Sequence, residues 1–174
     1  MREQLNLTED DGYEALRGHL AERAHKAREK YPDLTEEGVL RRLLADPDVV
    51  RFPTALIFDT EFLIPGEFAH AEPRGETPGD GFVLVVHPHF KERPEDLPYL
   101  VAYHIPSINY LDVATHREAE LFGAILMGVE KETYYQKICE LADELGPVPG
   151  AEYLNETGPG PDSDSCCGGG SCSC

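Results

Sequence analysis

Five consecutive apolar residues, Phe82-Val83-Leu84-Val85-Val86, stand between Gly81 and His87. The run is rich in strand formers and too short to be read as a helix with a polar face. A strand that is apolar at every position needs cover on both faces and neighbours on both edges. The chain is therefore expected to build a sheet around this segment, with other segments supplying the flanking strands and the helical cover.

The flanking strands have candidates upstream. Thr54 to Ile64 is dense in strand formers, Pro65-Gly66 is a turn dipeptide, and Glu67 to Glu72 can return as a partner strand. Pro73 to Gly81 is a Gly/Pro-bearing loop. The economical arrangement is a small antiparallel sheet of three or four strands. Pairing across that loop predicts His87 opposite Glu67 rather than His70.

Helices are expected on either side of the sheet. Thr8 followed by Glu9, Asp10 and Asp11 offers a capping hydroxyl and an acidic first turn. Tyr13, Leu16, Leu20, Ala24, Ala27 and Tyr31 then form one apolar stripe, ended by Pro32. Thr35 opens a shorter helix in which Val39, Leu40, Leu43 and Leu44 face inward, stopped at Asp46-Pro47. Asp96 is a cap for Leu97 to about Ile105, and Pro106 is expected to break or kink that segment. Thr115 with Glu118 spells a capping box, opening a helix with Leu121, Phe122, Ile125 and Leu126 on its apolar face. Gly128 interrupts before Val129 to Leu145, and Gly146 closes the last helix.

These elements make an α+β fold: a helical pair over about 8–46, a sheet over about 54–88 and helices over about 96–145, all in one domain spanning 1–146. Residues 147–174 are rich in Pro, Gly, Ser and Asp, with few apolar side chains, and are expected to be a disordered tail.

Both parts are acidic, and the formal net charge is −18. Such a charge disfavours phosphate backbones and anionic lipid, so neither nucleic acid nor a membrane is expected as a partner. Metal ions and other cations suit it better. No apolar run approaches the length of a membrane helix, and Met1 to Asn6 has no signal-like apolar core. Four of the five cysteines fall in the last nine residues rather than spreading across the fold, which points to a reducing, cytoplasmic setting.

That cysteine cluster is the most distinctive chemistry in the chain. Cys166, Cys167, Cys172 and Cys174 supply four soft ligands, the number a tetrahedral Zn or Cu(I) site uses, and the intervening glycines let a short chain wrap an ion. The spacing is not that of a Cys-x-x-Cys zinc knuckle. The Gly/Ser/Cys composition of the last dozen residues also resembles the modified segment of azole-forming ribosomal peptide precursors. That resemblance implies that the folded part serves as leader and that a tail-modifying protein is a partner.

A second site is conceivable within the domain. His87 and His89 follow the central strand, His104 sits beside Tyr103, and His116 and Glu120 lie one helical turn apart. Mixed nitrogen and oxygen ligands of this kind suit Zn, Fe or Mn, with Glu118 or Glu120 available as base on a bound water. No His-Glu-x-x-His motif, nucleophile elbow, phosphate loop or dinucleotide fingerprint is present. Cys139 reads as a small packing residue.

The leading expectation is a metal-binding protein that acquires or transfers a soft metal through its tail, with a metal-receiving protein as partner. One alternative is a small metal-dependent enzyme with an incidental tail. Others are the modified precursor and an interaction module that forms a homodimer through the N-terminal helix stripe. Whether any reaction is catalysed is left open.

Overall fold

A computed structural model describes residues 9–146. Thr8 and the whole tail, including Cys166, Cys167, Cys172 and Cys174, lie outside the described residues. The elements run in the order α1 (Glu9–Lys30), α2 (Glu37–Leu44), β1 (Thr54–Phe58), β2 (Ala69–Pro73), β3 (Phe82–Val86), α3 (Leu97–Tyr110), α4 (His116–Met127) and α5 (Lys131–Asp143). The fold is α+β, as the element pattern predicts.

The apolar run forms β3 and lies in the middle of a three-stranded sheet ordered β1-β3-β2. The expected all-antiparallel arrangement does not form. β1 runs parallel to β3, and only β2 is antiparallel to it. Pro65-Gly66 therefore does not close a hairpin. β1 ends at Phe58, and the chain from Asp59 to Phe68 crosses to the far side of the position β3 fills. Both edges of the fully apolar strand need partners, so the two upstream strands flank it instead of pairing with each other. The register places Phe68, not Glu67, beside His87, whose amide donates to the Phe68 carbonyl at 2.8 Å. His70 lies opposite Val85.

α3 runs through the protein interior. Leu97, Leu100, Val101, Ala102, Ile105 and Ile108 are all buried, and so are His104 and Asn109. Asn109 is satisfied there: its amide donates to the Val49 carbonyl at 2.9 Å, and its oxygen accepts from the Arg51 amide at 2.6 Å. This buried amide ties the segment after α2 to α3. Pro106 was expected to end or kink this segment, yet α3 continues through it to Tyr110. Proline removes one amide donor, and the apolar contacts on every side of α3 outweigh that loss.

The Thr115–Glu118 capping box opens α4 as expected, and Gly128 in the left-handed region (φ 70°) ends it. α1 packs along α4. Its Leu20, Ala24 and Ala27 are fully buried, so most of the stripe that an N-terminal dimerisation helix would need is used within the chain. Only Tyr13, near its start, is exposed. α5 packs on α4 through Tyr134, whose hydroxyl donates to the Tyr99 carbonyl at 2.7 Å. A Cβ on Gly123 of α4 would fall 2.0 Å from the Tyr134 ring.

That contact gives a paired prediction for chemical denaturation. Gly123→Ala should lower stability by about 2–3 kcal/mol through overpacking against Tyr134. Gly18→Ala, on α1 with nothing within 4 Å of the added carbon, should raise it by up to about 1 kcal/mol.

Candidate functional site

β2 carries little bulk on the side that faces the helices. The side chains of Ala69 and Ala71 point toward α3, and neither fills the space between strand and helix. What is left is a cleft of about 580 Å³, within the range of ligand sites. One wall is the edge of β2, with His70, Ala71 and Pro73. The facing wall is α3, with Tyr103, His104, Ser107 and Ile108. The connection from α3 to α4 (Leu111, Asp112, Ala114, Thr115) closes one end, and Glu67, Glu76, Thr77 and Pro78 approach from the loops.

His104 dominates the chemistry of this cleft. Only 8% of its surface is exposed, and its ring meets those of Phe68 and Tyr103 edge-on, with centroids 5.8 Å and 5.7 Å away. Its Nε2 is buried without a hydrogen-bond partner, the one such side-chain atom among the described residues. Burial, assisted by the nearby charge of His70, lowers its pKa to about 4. At neutral pH the ring is therefore uncharged. An unmet polar atom of this kind costs about 1–3 kcal/mol.

His70 stands at the mouth, half exposed, between two carboxylates. Its Nδ1 is 3.5 Å from Glu67 and its Nε2 is 3.3 Å from Glu72. Glu67, Glu76 and Asp112 line the cleft, and no Lys or Arg does so among the described residues. At the rim, Leu111 has φ 52°, the one non-glycine positive φ among the described residues. Strain of this kind is found where a backbone is held for a purpose other than stability. Apolar walls, an acidic rim and one neutral imidazole suit a ligand that is uncharged or cationic and carries a hydrogen-bonding group.

Of the histidines proposed as one domain metal site, His87 and His89 are neighbours, with ring centroids 6.4 Å apart, and no contact among the described residues joins them to His104 or His116. His104 is in the cleft wall. His87 follows β3, half-buried, where its Nδ1 accepts from the His89 amide at 3.2 Å; burial and then the charge of His89 lower its pKa. His89 bonds Glu144 at 2.9 Å, and Arg93 pairs with the same carboxylate. Those two partners hold Glu144 at a pKa of about 2. His116 is exposed at the first turn of α4, whereas Glu120 is nearly buried and paired with Lys131 at 3.1 Å. No group of three or more His, Cys, Asp or Glu side chains able to hold a metal ion occurs among the described residues.

Glu118 is also committed elsewhere. Burial raises its pKa, but bonds from the Thr115 hydroxyl and amide and from Arg17 outweigh that and leave it below the usual carboxylate range. Its bonds close the cap of α4 and join α1 to α4. Cys139 lies half-buried on α5.

Sequence reasoning named His104 but missed its companions. His70 looked like a strand end, and Tyr103, Ser107 and Asp112 gave no signal. The one available sign was the pair Ala69 and Ala71, small residues on alternate positions of a strand whose other residues are His70, Glu72 and Pro73.

A second depression brings three cations, Arg23, Lys26 and Lys30, together with His19, Glu22 and Asp48. They are already engaged: Lys26 with Glu22 at 2.6 Å, Lys30 with Asp46 at 2.6 Å, and Arg23 with the Val49 carbonyl at 3.4 Å. No family model, curated protein or solved structure matches the chain. No helix among the described residues is long and apolar enough to cross a membrane.

The buried imidazole gives a pH prediction. Its pKa is about 4 in the folded protein, below the ordinary value of 6.5. The unfolded chain therefore binds the extra proton first as pH falls, and stability drops through the window from about pH 6.5 to about pH 4. His104 alone should account for a loss of about 2 kcal/mol between about pH 7.5 and about pH 5. Urea titrations of wild type and His104→Phe should show that difference, and equal pH slopes would contradict it.

Proposed function

We propose that the described domain is a ligand-binding domain whose ligand occupies the cleft between β2 and α3. The observation that carries this reading is His104, which lines the cleft and whose buried Nε2 has no hydrogen-bond partner. A folded chain retains a polar atom in that condition at a cost, and a cavity lined by the same side chain gives a ligand the room to complete it once the ring turns toward it. The acidic rim of Glu67, Glu76 and Asp112 selects against anions.

The test is a fragment screen by NMR on the isotopically labelled full chain, with neutral, cationic and anionic fragments of matched size. Cationic and neutral fragments should shift the resonances of His104, Tyr103 and Ser107, while anionic ones leave them unmoved. Fragments that bind only elsewhere would end this reading.

A second reading comes from the cysteine cluster. We propose that Cys166, Cys167, Cys172 and Cys174 hold a soft ion such as Zn²⁺ or Cu(I), which the acidic domain helps to concentrate. Four cysteines within nine residues support it. Reduced full-length protein should take up one equivalent of Zn²⁺, and the variant with all four residues changed to Ser should take up none; equal uptake by both would refute tail binding. Intact mass measurement of protein from native cells separates this from the precursor reading, in which the tail loses water as azoles form.

A further inference from the structure

One wall of the cleft is a strand edge, and its hydrogen-bonding groups can be assigned. The His87 amide donates to the Phe68 carbonyl at 2.8 Å, and the Arg74 amide donates to the Gly81 carbonyl at 3.0 Å. These two bonds bracket the β2–β3 ladder. In an antiparallel pair, bonded and non-bonded residue pairs alternate. His70 with Val85 and Glu72 with Val83 are thus the bonded pairs of the observed register. Ala69, Ala71 and Pro73 turn their backbone groups the other way, off the sheet. β2 is an outer strand, and both Ala71 and Pro73 line the cleft. The N–H and C=O of Ala71 therefore lie along the open edge of β2, in the plane of the sheet and beside the cleft.

The other outer strand is treated differently. On β1 the guanidinium of Arg41 donates to the Leu56 carbonyl at 2.7 Å, which blocks that edge with a charged side chain. The charges lining the cleft on the β2 side are of opposite sign. Glu67 precedes β2 and Glu76 follows it, Asp112 joins them from the α3–α4 connection, and no cation is in the lining among the described residues. The small side chains of Ala71, Ala114 and Ala119 leave the width that an added backbone requires.

We infer that the cleft takes an extended, positively charged peptide segment, which adds to the edge of β2 as a fourth strand. The inference rests on the reading of the cleft as the binding site. Backbone pairing at Ala71 supplies affinity independent of sequence, alternate side chains of the segment meet α3, and its Lys or Arg residues meet the acidic rim. The side of the segment that faces α3 meets the His104 ring, and a turn of that ring into the cleft would let its buried Nε2 accept a hydrogen bond from the segment.

The probe is a displayed library of random octapeptides, selected on the full-length protein. Selected peptides should be rich in Lys and Arg, and their binding should shift the His104 ring resonances. Ala71→Pro removes an amide that the β2–β3 ladder does not use, a change strand edges tolerate. It should weaken the selected peptides about tenfold, the worth of roughly one hydrogen bond, with an unchanged circular dichroism spectrum. N-methylation at alternate peptide amides should abolish binding in one phase and spare it in the other. Glu67→Gln combined with Asp112→Asn should weaken binding several-fold and flatten its salt dependence.

Peptides that shift His104 yet tolerate both Ala71→Pro and every N-methylation would overturn strand addition while leaving the cleft as a binding site. Peptides that bind without touching His104 would count against both. A library that yields nothing above background would overturn the peptide assignment, with the fragment screen still deciding the cleft.

Discussion

The structure depends on burying α3 on all sides. A helix in the interior must be met by apolar surface all round, and here the sheet, α4, α5 and the segment after α2 each contribute. That requirement orders the rest. It carries the helix past Pro106, holds Asn109 against the Val49 carbonyl and positions Tyr99 to accept from Tyr134. It also places His104, a residue with two ring nitrogens to satisfy, among aromatic rings that offer it little.

The cleft follows from a mismatch between α3 and its neighbour. The helix is apolar and broad where it passes β2, and β2 answers with alanines. Larger residues there would close the space and add burial worth about 0.8 kcal/mol per methylene. The void, the unmet nitrogen and the strained Leu111 all fall on the same side of the molecule. Each departs from what stability alone would favour, and departures of this kind are expected at functional or strained sites.

Much of the fold was legible in the chain. Phe82–Val86 announced a central strand because no other arrangement covers five apolar residues in a row. Thr115 with Glu118 announced a helix start because the cap is a local interaction that needs no distant partner. Strand direction was not legible. The choice between a hairpin at Pro65-Gly66 and a crossing over β3 is settled by which edge of β3 lacks a partner, and that is a tertiary matter. Pro106 misled for a similar reason: a local rule met a helix held by its surroundings. The candidate site was half legible. His104 drew notice as a histidine in an apolar helix. Its neighbours in the cleft come from residues 67–76 and 107–115, too far apart in sequence for spacing to relate them. His87, His89 and His116 share only their residue type with it.

The cleft account stands or falls on what reaches His104. Crystals of the full-length protein soaked with a chemically diverse fragment set give the most direct view. The account predicts that bound fragments concentrate between β2 and α3, with a polar atom within hydrogen-bonding distance of the His104 Nε2. Fragments bound at other surfaces, with the space beside His104 persistently unfilled, would contradict it.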